Sequence, residues 1–242
     1  MISKSQIKSI TGLQQKKYRD SSGLFVAEGP KVISELLGAG FEAHYYFSTR
    51  DSDSEDHGAT PISEGELKKI SSLKTPNTSL AVFHQPKYPV IQQTGLILAL
   101  DAIRDPGNLG TIIRLCDWFG VEQIVCSADT VDCFNPKVIQ ATMGSIARVG
   151  VHYVDLDSFL RNTTLEVIGA VMDGTPVYET KLPSEGILVM GNEANGISET
   201  INKALQLRIT IPRFGAAQET ESLNVATATA ILLNEFRRST GK

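Results

Sequence analysis

Downstream of Gly95, short runs that are apolar at every position alternate with segments of helical periodicity. This alternation constrains the fold more than any other feature of the chain. A strand with one wet face alternates apolar and polar residues. A strand that is apolar throughout is covered on both faces, as in a parallel sheet flanked by helices. Residues 96–100, 121–126, 149–154, 167–172, 187–190 and 207–211 predict six such strands. Between them, a helix over 109–119 is closed by Gly120. A second opens at Asn135, with Pro136 at its first helical position, and runs to about residue 148. A long helix over 222–238 ends the chain. The pattern therefore reads as α/β, and ligands on such sheets bind in loops beyond the carboxyl ends of the strands.

The first 90 residues read as a separate small α/β unit. A polar helix over 2–18 precedes a strand at 24–27, a helix over 30–37 ending at Gly38, and a strand at 43–48. The acidic, serine-rich stretch 51–58 reads as a surface loop. Ser63 and Glu66 form a capping box opening a helix to about residue 73, and 80–83 returns as a strand. A linker with Pro86 and Pro89 follows. The expected division is this small unit at 1–90 and a second domain at 95–242.

With 41% hydrophobic and 21% charged residues, a chain of 242 residues can build a packed core and is too apolar for wholesale disorder. No apolar run approaches the roughly 20 residues of a membrane span. The polar, basic N-terminus lacks the apolar core of a secretory signal. Cys116, Cys126 and Cys133 fit no metal-ligand spacing and read as buried, reduced thiols, so a cytoplasmic location is expected. Net charge is −4 but uneven. Residues 1–31 carry six Lys/Arg against two acids, whereas residues 91–242 carry 12 basic and 17 acidic side chains. A basic segment ahead of an acidic body fits a nucleic-acid contact at that end, or simply a solvated helix face.

Three loops carry Gly, Asn and charge beyond what packing demands. The first runs Asp101-Ala102-Ile103-Arg104-Asp105-Pro106-Gly107-Asn108-Leu109-Gly110 into a helix bearing Arg114. The second, Gly191-Asn192-Glu193-Ala194-Asn195-Gly196, follows a strand and matches neither the dinucleotide nor the phosphate-loop glycine pattern. The third is Ile211-Pro212-Arg213-Phe214-Gly215, with Ser222-Leu223-Asn224-Val225 opening the last helix. Singly, each can be an ordinary turn, with Ser222 a helix cap and Asn224 in the first turn.

In this order the three loops resemble the SpoU (TrmH-like) family of RNA ribose methyltransferases over about residues 96–240. The stretch from Lys16 to Lys31 also looks like the small RNA-recognition domain that often precedes that catalytic domain. The resemblance implies S-adenosylmethionine as methyl donor and an RNA 2′-hydroxyl as acceptor. It further implies a SPOUT-type domain with a trefoil knot, and a homodimer with the cofactor site near the interface. By the family's motifs, Arg114 takes the catalytic arginine position, Asn108 and Glu193 stand beside the reaction, and Ser222 and Asn224 complete the pocket. Gly191, Ile211 and Leu223 match positions whose backbone cradles the cofactor, with Asn192, Gly196 and Pro212 alongside them. One departure is the six residues 216–221, where the family commonly has about three.

The chemistry suits these residue types. Displacement at a sulfonium methyl group is in-line, so positioning the hydroxyl supplies much of the acceleration. A guanidinium does not serve as a base, so Arg114 is expected to stabilise the developing alkoxide and clamp a neighbouring phosphate. Asn108 and Asn224 are expected to orient by hydrogen bonds, and Glu193 to hold Arg114. No metal is required. Ribosomal RNA is favoured as substrate by the N-terminal resemblance, with transfer RNA open. Other readings are base methylation, self-methylation conferring antibiotic resistance, and an RNA-binding protein of this fold without activity.

Overall fold

The computed structural model describes residues 1–50, 53, 58–215 and 222–239. The expected loop at 51–58 and the longer loop at 216–221 lie almost wholly outside the described residues. By its contacts the chain forms two compact units, Met1–Lys87 with Asp132–Arg148, and Tyr88–Val131 with Val149–Lys242. The segment Asp132–Arg148, which the sequence reading places in the second domain, thus packs with the first.

The first unit holds strands β1 (Leu24–Glu28), β2 (Ala43–Ser48), β3 (Thr60–Pro61) and β4 (Ser79–His84) in the order β1-β4-β2-β3. Its helices are α1 (Lys4–Gly12), α2 (Lys16–Ser22), α3 (Pro30–Gly38) and α4 (Glu64–Ile70). Leu24 and Val26 pack into one cluster with Ile10, Leu67 and Leu80. Phe25, on the opposite face, stacks on Phe83 at 5.7 Å and meets Phe134 at 4.9 Å. The capping box of Ser63 and Glu66 is present as expected.

The expected single helix over 2–18 is instead two, because the chain turns at Leu13–Gln15 to bury Leu13. That turn changes the charge reading as well. Arg19, counted in the basic segment, is only 2% exposed. Its guanidinium donates to the Asp132 carboxylate at 2.8 and 2.6 Å and to the Leu13 carbonyl at 2.7 Å. Removing one partner of a buried pair strands the other. Arg19→Ala is expected to cost about 3–5 kcal/mol in a denaturant titration. A loss below 1 kcal/mol would mean that the pair is solvated.

In the second unit six strands lie in the order β10-β8-β9-β5-β6-β7, every pair parallel. They are β5 (Leu96–Leu100), β6 (Gln123–Cys126), β7 (Gly150–Tyr153), β8 (Val167–Pro176), β9 (Gly186–Met190) and β10 (Leu207–Thr210). This meets the expected α/β class and its parallel sheet. Helices α5 (Pro106–Phe119), α7 (Leu156–Arg161), α8 (Glu199–Asn202) and α9 (Val225–Ser239) belong to this unit, and α6 (Pro136–Thr142) to the first. Helix α6 stops six residues before its expected end. Met143 and Gly144 turn left-handed, with φ of 53° and 97°. A Cβ on Gly144 would lie 2.6 Å from the Glu35 Cβ, so only glycine passes that close to α3. Helix α9 begins at Val225 rather than at Ser222.

The strand order places the loops. Strand β5 has β6 on one side and β9 on the other, so the chain's direction across the sheet switches at β5. The loops leaving β5 and β9 therefore emerge side by side, with the loop after β10 beyond them. This is where an open parallel sheet forms its ligand crevice.

Candidate functional site

Three hydrogen-bonded segments build the site. Asp105 caps α5, its carboxylate accepting from the Asn108 amide at 2.8 Å, and Pro106 supplies the fixed φ of the first turn. This sets the Asn108 side chain at the start of the helix. Its carboxamide donates to the Glu193 carboxylate and accepts from the Asn224 carboxamide at 2.9 Å. The Asn224 oxygen in turn caps α9, accepting from the amides of Ala226 at 3.1 Å and Thr227 at 3.2 Å. Asn224 is thus the helix cap, not Ser222. All three sequence-derived loops meet through Asn108.

The loop after β9 folds back as a tight hairpin. Asn192 and Gly196 exchange backbone hydrogen bonds of 3.0 and 2.7 Å, with Gly196 at φ +67°. A Cβ on Gly191 would lie 2.3 Å from Gly196 C and Ile197 N. Beside this hairpin opens a cavity of about 1020 Å³, whose lining includes Gly191, Asn192, Glu193, Gly196, Ile211, Pro212, Ser222 and Leu223. Met172 and Phe214 add apolar surface, and both are largely exposed.

Arg114 stands apart. It is exposed on α5, makes no hydrogen bond or ion pair to any described residue, and does not line the cavity. The expectation that Glu193 holds Arg114 is therefore corrected, because Glu193 is taken by Asn108. Six residues of helix carry Arg114 about 9 Å along the axis and about 120° around it, out of line with Asn108. Cys116, Cys126 and Cys133 are all buried, and no disulfide joins them. Burial pushes the Cys116 and Cys126 thiols well up, which keeps them protonated and inert.

Sequence reading missed one contributor. Strand β8 continues four residues past its expected end, bringing Asp173 to the cavity wall, where Arg208 pairs with it at 2.6 Å. Asp101 is buried and accepts from the Ser198 amide at 2.7 Å. It is the first residue of the first loop read from the sequence.

The chain is similar to known proteins along most of its length. The model of the SpoU rRNA Methylase family matches residues 95–234, and that of an MRM3-like substrate binding domain matches residues 4–81. Among curated relatives, the 23S rRNA (guanosine(2553)-2′-O)-methyltransferase RlmP of Bacillus subtilis (strain 168) is 31% identical over 241 residues, 96% of each chain. A solved TrmH-family structure from Porphyromonas gingivalis superposes with a TM-score of 0.90 at 38% identity, covering 98% of this chain and 99% of that one. An AdoMet-bound rRNA methyltransferase from Sinorhizobium meliloti superposes with a TM-score of 0.85 at 29% identity, covering 98% and 97%.

Proposed function

This chain belongs to the SpoU rRNA methylase family, and from that membership we propose that it transfers a methyl group from S-adenosylmethionine to a ribose 2′-hydroxyl of ribosomal RNA. The observation that carries the reading is the meeting of all three loops through Asn108, beside the cavity lined by β8 and by the loops after β9 and β10. The cavity suits the cofactor on its own terms. Gly191 presents bare backbone where no side chain fits, and Met172, Phe214 and Leu223 offer apolar surface for a purine.

When bound, the cofactor supplies an electrophilic sulfonium methyl. The backbone of Gly191, Asn192, Gly196, Ile211, Pro212 and Leu223 holds it, while Ser222 stands at the rim. Asn108 orients the acceptor ribose, its own amide fixed between Glu193 and Asn224. By the family's motif Arg114 is assigned to the developing alkoxide and a flanking phosphate, although within this chain it stands away from Asn108 and from the cavity. The family also implies a trefoil-knotted C-terminal part and a cytoplasmic homodimer. Leu223, Ala226, Ala230 and Leu233 recur at helical spacing, a stripe suited to such a dimer, and part of it is used already. Ala226 and Leu233 are buried within the chain, where α9 packs on α5. A dimer therefore needs other surface as well, and sedimentation showing a monomer at micromolar concentration would count against it.

RNA affinity is assigned mainly to the first unit. Lys4, Lys8 and Lys17 are exposed there. Replacing all three with Ala is expected to weaken binding of a ribosomal RNA transcript and to flatten its salt dependence by about two to three units of slope. An unchanged slope would move the RNA contact elsewhere. Tritiated cofactor followed by alkaline hydrolysis tests the reaction itself. Label in alkali-resistant dinucleotides is expected, and label wholly in mononucleotides would indicate base methylation.

A further inference from the structure

We propose that the Asn192 side chain is a positioning residue, a clamp that fixes the loop carrying Asn108 against the loop carrying Glu193. This rests on the reaction assigned above. Asn192 lines the cavity, and its carboxamide donates to the Ala102 carbonyl at 2.8 Å. The same side chain accepts from the Ala194 amide at 2.9 Å, which fixes its rotamer.

Ala102 is the reason such a clamp is needed. It sits at φ 58°, one of two described non-glycine residues in the left-handed region. An L-residue leaves that region unless its surroundings hold it there. Both backbone polar groups of Ala102 are held. Its amide donates to Ser127 Oγ at 2.9 Å, and its carbonyl accepts from Asn192. The left-handed turn aims the chain leaving β5 toward Asp105, whose cap starts α5 and so places Asn108. Asn108 then donates to Glu193, the residue next to Asn192. The Asn192–Ala102 and Asn108–Glu193 bonds close a ring from Ala102 through Asn108 and Glu193 back to Asn192, and at its base Asp101 accepts from the Ser198 amide and donates its own amide to the Met190 carbonyl. Releasing the Asn192 joint frees the Ala102 carbonyl, while the bonds of Asp101 still hold the base of the two loops together.

Full-length protein, an unmodified ribosomal RNA transcript and tritiated S-adenosylmethionine test this. Asn192→Ala is expected to lower kcat about 10²-fold by displacing Asn108, with cofactor affinity by calorimetry within about threefold. Asn192→Asp, which keeps the acceptor for Ala194 but lacks the donor, is expected to fall as far. Adding Ala102→Gly to Asn192→Ala is expected to recover about fivefold, because glycine occupies the left-handed region without the clamp. Amide exchange in residues 101–108 is expected to rise in Asn192→Ala, a readout independent of methyl transfer. Unchanged exchange, unchanged kcat, no recovery in the double variant, or a loss confined to cofactor affinity would each overturn the clamp. Wild-type protein that methylates no ribose would instead overturn the assigned reaction and leave the exchange result to decide the clamp.

Discussion

Arg114→Ala is expected to lose about 10²–10³ of the methyl-transfer rate while binding S-adenosylmethionine within a few-fold of wild type. Those magnitudes are typical when one preorganised donor is removed from a site of developing negative charge. The separation of rate from affinity follows from position. Arg114 lies on the exposed face of α5 and does not line the cavity, so its removal leaves the cofactor walls intact. Exposure also keeps the experiment clean, since a surface truncation changes stability by only about 0.5 kcal/mol. Arg114→Lys is expected to remain poor, because a point charge cannot engage alkoxide and phosphate with one planar fork. Single-turnover kinetics measure the step directly. Near-normal turnover in Arg114→Ala would sink the role given to this residue.

Gly191→Ala should do the reverse, with cofactor binding as the quantity that collapses. The added methyl would stand 2.3 Å from Gly196 C and Ile197 N, both backbone atoms that no rotamer change can move. The hairpin must open, breaking the Asn192–Gly196 bridge that shapes the cavity wall. Overpacking of this kind costs about 3 kcal/mol, or about 10²-fold in affinity. Gly196→Ala provides the contrast within the same loop. No atom lies within 4 Å of a Cβ there, and only the backbone at φ +67° resists, so a smaller loss of about 1 kcal/mol is expected. Calorimetry on both variants settles it. Equal affinities for the two would show that close packing of the hairpin does not shape the site.

Much of this was legible in residue order, for a physical reason. Strand and helix periodicities, capping boxes and left-handed glycines are local, and they placed β5, the capped start of α4, the Gly120 stop and all six strands of the parallel sheet within a few residues. The three loops were legible too, because Gly, Asn and Pro cluster where the backbone must turn or approach a ligand closely. Where local signals were ambiguous, tertiary contacts decided. Pattern alone continued the helix after Pro136 to about residue 148, but the close passage by Glu35 demanded a left-handed turn at Gly144. Lysines and Arg19 look alike in a charge count, yet Arg19 is drawn inward by Asp132, 113 residues away.

The site shows the same division. That Asn108, Glu193 and Asn224 belong together was visible from the order of the motifs. Who bonds whom was not, because a hydrogen-bond partner depends on strand order and helix phase. By itself the sequence determined the parallel sheet and the residues of the three loops, whereas tertiary contacts decided that Asp132–Arg148 packs with the first unit. Only the tertiary structure decided that Glu193 meets Asn108 rather than Arg114, and that the Asn192 side chain bonds to Ala102. Those choices follow from β9 lying beside β5, a pairing of segments some 90 residues apart that local periodicity does not encode.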